Sequence, residues 1–125
     1  MSENSPLPSE NEACIVLSQQ LKVPMATLCL ILRLFYDEYK TLTPVTTQLI
    51  ENENWPELQA YFHKLKGASG GLNMWPLRAE LVILEIQLQQ GQALTIEAMQ
   101  PLYKEMQGVI KRYQLSSIAT TSSAS

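Results

Sequence analysis

The chain contains a single histidine, His63, within the run Tyr61-Phe62-His63-Lys64-Leu65-Lys66-Gly67-Ala68-Ser69-Gly70-Gly71. Imidazole is largely neutral at pH 7, and a neutral ring nitrogen is a nucleophile able to attack phosphorus. Leu58, Tyr61, Phe62, Leu65, Ser69 and Leu72 recur at three- and four-residue spacing, the pattern of one buried helix face. His63 is rotated away from that face by more than a quarter turn and is expected to look outward. Gln59 and Gly67 at i±4, Lys66 at i+3 and Gly70 at i+7 share its exposed strip.

Each neighbour has a physical use. Phosphoryl transfer asks a protein mainly for positioning and for positive charge on the phosphoryl oxygens, and Lys66, about 4.5 Å further along the helix axis, can supply the charge. Gly67 and Gly70 each cost roughly 0.5–1 kcal/mol relative to alanine inside a helix, so two on one exposed strip imply that another surface must come close. Taken alone, His63 reads as an ordinary surface histidine and the glycines as a fraying helix end. The order of the residues favours the chemical reading.

That order, His63-Lys64-Leu65-Lys66-Gly67-Ala68-Ser69-Gly70, resembles the signature H-x-L-K-G-x-[SA] of histidine-containing phosphotransfer (HPt) domains. It joins an exposed nucleophile, a buried leucine, a cation at i+3 and a glycine at i+4. The resemblance implies that His63 is the phosphoacceptor and Lys66 the phosphate-stabilising lysine. Gly67 and Gly70 would clear a docking face for a receiver domain, with Gln59 and Lys64 as lesser polar contacts. Two positions depart from the family's pattern. Phe62 stands where alanine is common and is assigned to the core. Asn73 stands ten residues after the histidine where glycine is common; asparagine tolerates the left-handed conformation and is also a good helix N-cap, so the turn survives.

The elements that must position this strip are all helical. Ser9 to Glu12 is a capping-box pattern ahead of a short helix with Cys14, Leu17 and Leu21. Pro24 suits the first turn of a longer helix carrying Met25, Leu28, Leu32, Phe35, Tyr39 and Leu42, which Pro44 kinks or ends, leaving Val45 to Ile50 for a further turn or two. Asn54 and Glu57 form a second capping-box pattern, with Pro56 in the first turn of the histidine helix. After a break at Gly70-Gly71, Pro76 opens a helix through Gln90. In it Leu77, Leu81, Leu84 and Leu88 mark one side, while Val82, Ile83 and Ile86 widen the apolar arc and predict burial against more than one neighbour. Gly91 is a natural stop. Thr95 can cap a last helix with Met99, Leu102, Met106, Val109 and Tyr113, its opening turns bent by Pro101. Trp55 and Trp75 fit either interface anchors or structural staples, and their place beside prolines at helix starts favours staples.

Short connections favour an all-α, antiparallel up-down-up-down four-helix bundle with an additional short N-terminal helix, an architecture the resemblance also implies from about Glu12 to Tyr113. The expected organisation is a disordered tail at 1–8, one bundle at 9–115 and a disordered serine-rich tail at 116–125. A formal net charge of −3 argues against general nucleic-acid binding. Cys14 and Cys29 lack metal-ligand spacing and read as reduced core thiols, and no metal or cofactor is expected in the chain. His63 has no acidic partner at helical spacing, which argues against triad-type hydrolysis. The N-terminus lacks the features of a secretory signal and Val23 to Leu32 is too short to span a bilayer, so a cytoplasmic location without membrane insertion is expected. The polar strip around His63 suggests a monomer.

By resemblance, His63 would accept a phosphoryl group from the phosphoaspartate of one receiver domain and pass it to another. The receiver would supply Mg²⁺ and most catalytic groups, so the chain is a carrier and not an enzyme. The implied partners are response-regulator receivers and a hybrid histidine kinase. The alternative is a docking module that regulates a receiver or kinase by occupancy without turnover, and a third reading is a structural bundle without phosphate chemistry.

Overall fold

A computed structural model describes residues 10–118. Six helices follow one another: α1 (Glu12–Leu21), α2 (Met25–Tyr39), α3 (Leu42–Glu51), α4 (Trp55–Gly71), α5 (Trp75–Gln89) and α6 (Gln100–Tyr113), with a 3-10 turn at Glu97–Met99 leading into α6. No strand occurs among the described residues, as the absence of period-two alternation predicts.

Most boundaries have a readable local cause. The cap of α1 is Asn11, whose side-chain oxygen accepts from the Cys14 N–H at 2.9 Å. The capping box read at Ser9–Glu12 depends on Ser9, which lies outside the described residues. Pro24 sits one residue before α2 and its carbonyl accepts the first helical bond, from Leu28. The chain breaks at Lys40–Thr41, and Pro44 falls in the first turn of a separate α3, where its missing N–H leaves nothing unpaired. Asn54 and Met74 cap α4 and α5 without a side-chain hydrogen bond, with Pro56 and Pro76 in the respective first turns. Thr95 does not cap the last helix as expected: its Oγ1 accepts from the Ala98 N–H at 3.2 Å in the 3-10 turn ahead of α6, a turn whose own cap position is Ile96, and Gly91 ends the α5 region at φ +78°.

The helices group into two compact units, one comprising residues up to Tyr39 and from Gln107, the other Lys40–Met106. In the first, Asn11 Nδ2 donates to the Arg112 carbonyl at 3.1 Å and the Cys14 thiol to the Tyr113 carbonyl at 3.9 Å, tying α1 to the end of α6. The Phe35 and Tyr39 rings pack in a tilted pair, 5.1 Å between centroids and 52° between planes. Burial pushes the Cys14 thiol up to about 11, with Cys29 adding to the effect, and burial raises the half-buried Cys29 as well. Both cysteines are free. Beyond α6, residues 115–118 form another helical turn with Leu115 and Ile118 buried. Ser116, expected to begin a disordered tail, lies instead in this turn and pairs with the Tyr36 hydroxyl at 3.2 Å. Residues 1–9 and 119–125, which hold most of both expected tails, lie outside the described residues.

The second unit positions the histidine. Its core gathers Leu42, Thr46 and Ile50 of α3, Leu58, Phe62, Leu65 and Ser69 of α4, and Leu77, Leu81 and Leu84 of α5. The two buried hydroxyl residues of this core are satisfied: Thr46 Oγ1 donates to the Leu42 carbonyl at 2.8 Å and meets the Tyr103 hydroxyl at 2.7 Å, while Ser69 Oγ donates to the Leu65 carbonyl at 2.6 Å. The closest helix packing is that of α4 on α5. α4 runs through Gly70 and Gly71 without the expected break and stops at Leu72. Asn73 then takes the left-handed conformation at φ 57°, with the Met74 N–H returning to the Ser69 carbonyl at 2.8 Å. Asparagine thus does at this turn what glycine does in the family's pattern.

Candidate functional site

His63 lies in the middle of α4, two turns from its start. Phe62 and Leu65 on either side are fully buried and fix the rotation of the helix. The outward strip follows: the His63 side chain is 76% exposed, Lys64 and Gly67 are exposed, and Gln59, Lys66 and Gly70 are half-buried. Lys64 stands about 100° round the helix from His63, on the side away from Lys66.

The residue that sequence reasoning missed is Glu85. It projects from α5 with its side chain 5% exposed, Oε2 lying 3.6 Å from His63 Nδ1 and Oε1 lying 2.7 Å from Lys66 Nζ. His63 therefore has an acidic neighbour, brought by the pairing of two helices instead of by spacing along one. The Lys66 contact is a short charge-assisted pair. At 3.6 Å the histidine contact is too long for a hydrogen bond, yet close enough for the carboxylate to favour a ring whose Nδ1 carries the proton. Nε2 is then the nitrogen with a free lone pair. A signal for Glu85 did exist: it lies four residues after Leu81 and three before Leu88, a carboxylate on the apolar arc of α5.

The two strip glycines meet different surroundings. A methyl group added at Gly67 would find nothing within 4 Å, whereas one at Gly70 would stand 3.3 Å from Cδ and Nε of Arg78 and 3.9 Å from the Trp75 ring. Gly70 thus makes room for side chains of α5, and Gly67 faces open space. Trp75 is 56% exposed. Ile83 and Ile86, expected to be buried between neighbours, are 51% and 45% exposed. Leu77, Leu81 and Leu84 already fill the buried side of α5, leaving the rest of the broad apolar arc in solvent.

Among the described residues no group of three or more histidine, cysteine or acidic side chains could hold a metal ion, and no single helix is long and apolar enough to cross a membrane.

Residues 30–115 match the family model of the Hpt domain. The chain belongs to the Hpt domain family. The match spans more than half of the 125 residues and contains α3 to α6 with the whole His63 strip, and it starts within α2, later than the resemblance from Glu12 suggests. No curated protein and no solved structure is significantly similar to the chain. Hpt domains serve histidine phosphotransfer in two-component phosphorelays, acting as phosphocarriers with receiver domains and kinases.

Proposed function

We propose that this Hpt chain is a cytoplasmic phosphorelay intermediate whose phosphoacceptor is His63. Its Nε2 lone pair attacks the phosphorus of a receiver's phosphoaspartate; the N–P bond forms as the acyl-phosphate O–P bond breaks, and the aspartate carboxylate leaves. Attack by the aspartate of a second receiver reverses the step. The receiver contributes Mg²⁺, and the chain contributes a nucleophile held in the required state.

The observation that carries this reading is the Glu85 carboxylate, buried and facing Nδ1 of an otherwise exposed imidazole. It acts as a positioning residue: it keeps the proton on Nδ1 and stabilises the charge that develops on the ring during attack. Lys66 neutralises Glu85 and holds its ammonium one turn from the imidazole, where it can follow the phosphoryl oxygens. Gly67, with open space beyond it, lets the partner's backbone approach; Gln59 and Lys64 border the contact. The proposed frame is an antiparallel four-helix bundle with α1 as the additional helix, the arrangement typical of the family.

The test is incubation with a radiolabelled phosphorylated receiver domain. Acid-labile, alkali-stable label on the chain that is lost in His63→Gln supports the carrier. Binding without label in any of several receivers supports the docking module.

A further inference from the structure

The two neighbours of Glu85 are held unequally. Its Oε1 lies 2.7 Å from Lys66 Nζ, a made ion pair, while Oε2 lies 3.6 Å from His63 Nδ1, just beyond hydrogen-bond length. The Glu85 side chain is 5% exposed, that of Lys66 25% and that of His63 76%. A carboxylate so enclosed must keep a cation, because an uncompensated buried charge is strongly destabilising. Beside a neutral imidazole, Lys66 is that cation.

Phosphorylation at Nε2 changes the distribution of charge. The ring attacks through its lone pair and keeps the Nδ1 proton, so the phosphorylated imidazole is itself positive, with its remaining N–H on the side of Oε2. The phosphoryl group brings about two negative charges to the opposite side of the ring. Two cations, Lys66 and the ring, then stand among two anions, Glu85 and the phosphoryl group. If Lys66 stayed on Glu85, the ring N–H would approach a carboxylate already neutralised and the phosphoryl oxygens would face solvent alone. If Lys66 turned outward, each anion would have its own cation. Its partial exposure leaves the ammonium free to make that turn.

We infer that phosphorylation of His63 exchanges the partners of Glu85: the carboxylate closes on the Nδ1–H of the phosphorylated ring and releases Lys66 to the phosphoryl oxygens. This rests on the reading of His63 as a phosphoacceptor through Nε2. Both cations belong to α4, so α5 stays paired with it in either state. The exchange also keeps the proton on Nδ1 for as long as the phosphoryl group is bound, and the ring therefore leaves as a neutral imidazole when the next acceptor attacks.

Phosphoramidate tests the exchange without a receiver: the Nε2–P bond forms as the phosphoramidate N–P bond breaks and ammonia leaves. The melting temperatures of the full chain and of Lys66→Met are compared before and after phosphorylation. Unphosphorylated, Lys66→Met strands Glu85 and lowers the melting temperature by about 8 °C. Phosphorylated, the ring has taken the place of Lys66, and the loss falls to about half that or less, as for an exposed contact. A loss of the same size in both states overturns the exchange. Glu85→Gln, which keeps Lys66 and the shape of the side chain, gives a second readout by NMR. The Nδ1 proton of the phosphorylated ring exchanges slowly with water in the unaltered chain and about tenfold faster or more in Glu85→Gln, the range of a typical coupling between two groups; equal exchange overturns the proposal as well. Phosphorus on Nδ1, or no phosphorylation of His63 by either phosphoramidate or a phosphorylated receiver, removes the phosphoacceptor reading and the exchange together. Phosphorylation at Nε2 with an unchanged loss for Lys66→Met removes the exchange alone.

Discussion

Along α4 the solvent strip is made of Gln59, His63, Lys66, Gly67 and Gly70; along α5, a helix-width away, it is made of Trp75, Ala79, Val82, Ile83 and Ile86. The first is polar or without side chain, with one nucleophile and one cation tied to a buried carboxylate. The second is apolar throughout. Chemistry at phosphorus requires little surface, because only a few groups touch the reacting atoms, and those must be accessible. What α5 brings to them is Glu85 on its buried side, not its apolar strip. On the proposed reading, the hairpin divides the site between its helices: α4 carries the nucleophile and the cation, and α5 the charge that holds both.

The most severe break in this division is at the nucleophile. His63→Gln abolishes acid-labile phosphorylation, while calorimetric binding to a receiver stays within about threefold, since an exposed side chain of similar size is retained. Loss of binding together with label would mean that recognition and chemistry share the same residue.

The Lys66–Glu85 pair comes next. Lys66→Met strands a carboxylate that is 5% exposed. Breaking a fully buried pair costs about 3–5 kcal/mol, and the partial exposure of Lys66 brings the expected loss to roughly 2 kcal/mol, read from urea unfolding. Adding Glu85→Leu restores most of the stability, because two apolar groups need no pairing, but it does not restore transfer. Recovery of both would assign the pair to folding alone.

Glu85→Gln alone has a smaller effect. A neutral amide no longer favours the proton on Nδ1, so transfer slows about tenfold, equivalent to about 1.4 kcal/mol. The tautomer ratio, read from the imidazole ¹⁵N shifts, moves toward Nε2–H. An unchanged ratio would deny Glu85 its positioning role.

The smallest effects separate the two glycines. Gly67→Ala adds a methyl group into open space and should stabilise α4 by about 0.5–1 kcal/mol while slowing transfer. Gly70→Ala must displace Arg78, 3.3 Å away, and should give a smaller gain or none. Equal gains in melting temperature, with equal transfer rates, would erase the distinction between a glycine that faces a partner and one that faces its own chain.

Much of this molecule was legible in the sequence, for identifiable reasons. α4 was readable because Leu58, Phe62, Leu65 and Ser69 repeat at helical spacing, and that repeat alone turns His63 outward. The Asn73 turn and the Gly91 stop were readable because a positive φ restricts the residue types that can occupy them. The capping box at Asn54–Glu57 was misread, because Asn54 makes no side-chain cap bond. A capping pattern permits a side-chain bond without requiring it, and at α1 the cap is Asn11. Glu85 escaped because its partners His63 and Lys66 lie about twenty residues earlier, and only the pairing of α4 with α5 joins them. The exposure of Ile83 and Ile86 escaped because an apolar residue is read as buried by default; no local pattern tells a second buried face from a surface left in solvent.

The central claim is that His63 exchanges a phosphoryl group through Nε2 while Glu85 holds Nδ1. Because the chain has one histidine, ¹⁵N-histidine labelling yields a spectrum of this ring alone. It can be followed as phosphorylated receiver is added and then as a second, unphosphorylated receiver with Mg²⁺ is supplied. The account predicts that the ring moves from the Nδ1–H tautomer to an Nε2-phosphorylated form and returns when the second receiver takes the group. Phosphorylation at Nδ1, or an imidazole that never changes while the receivers bind, would contradict it.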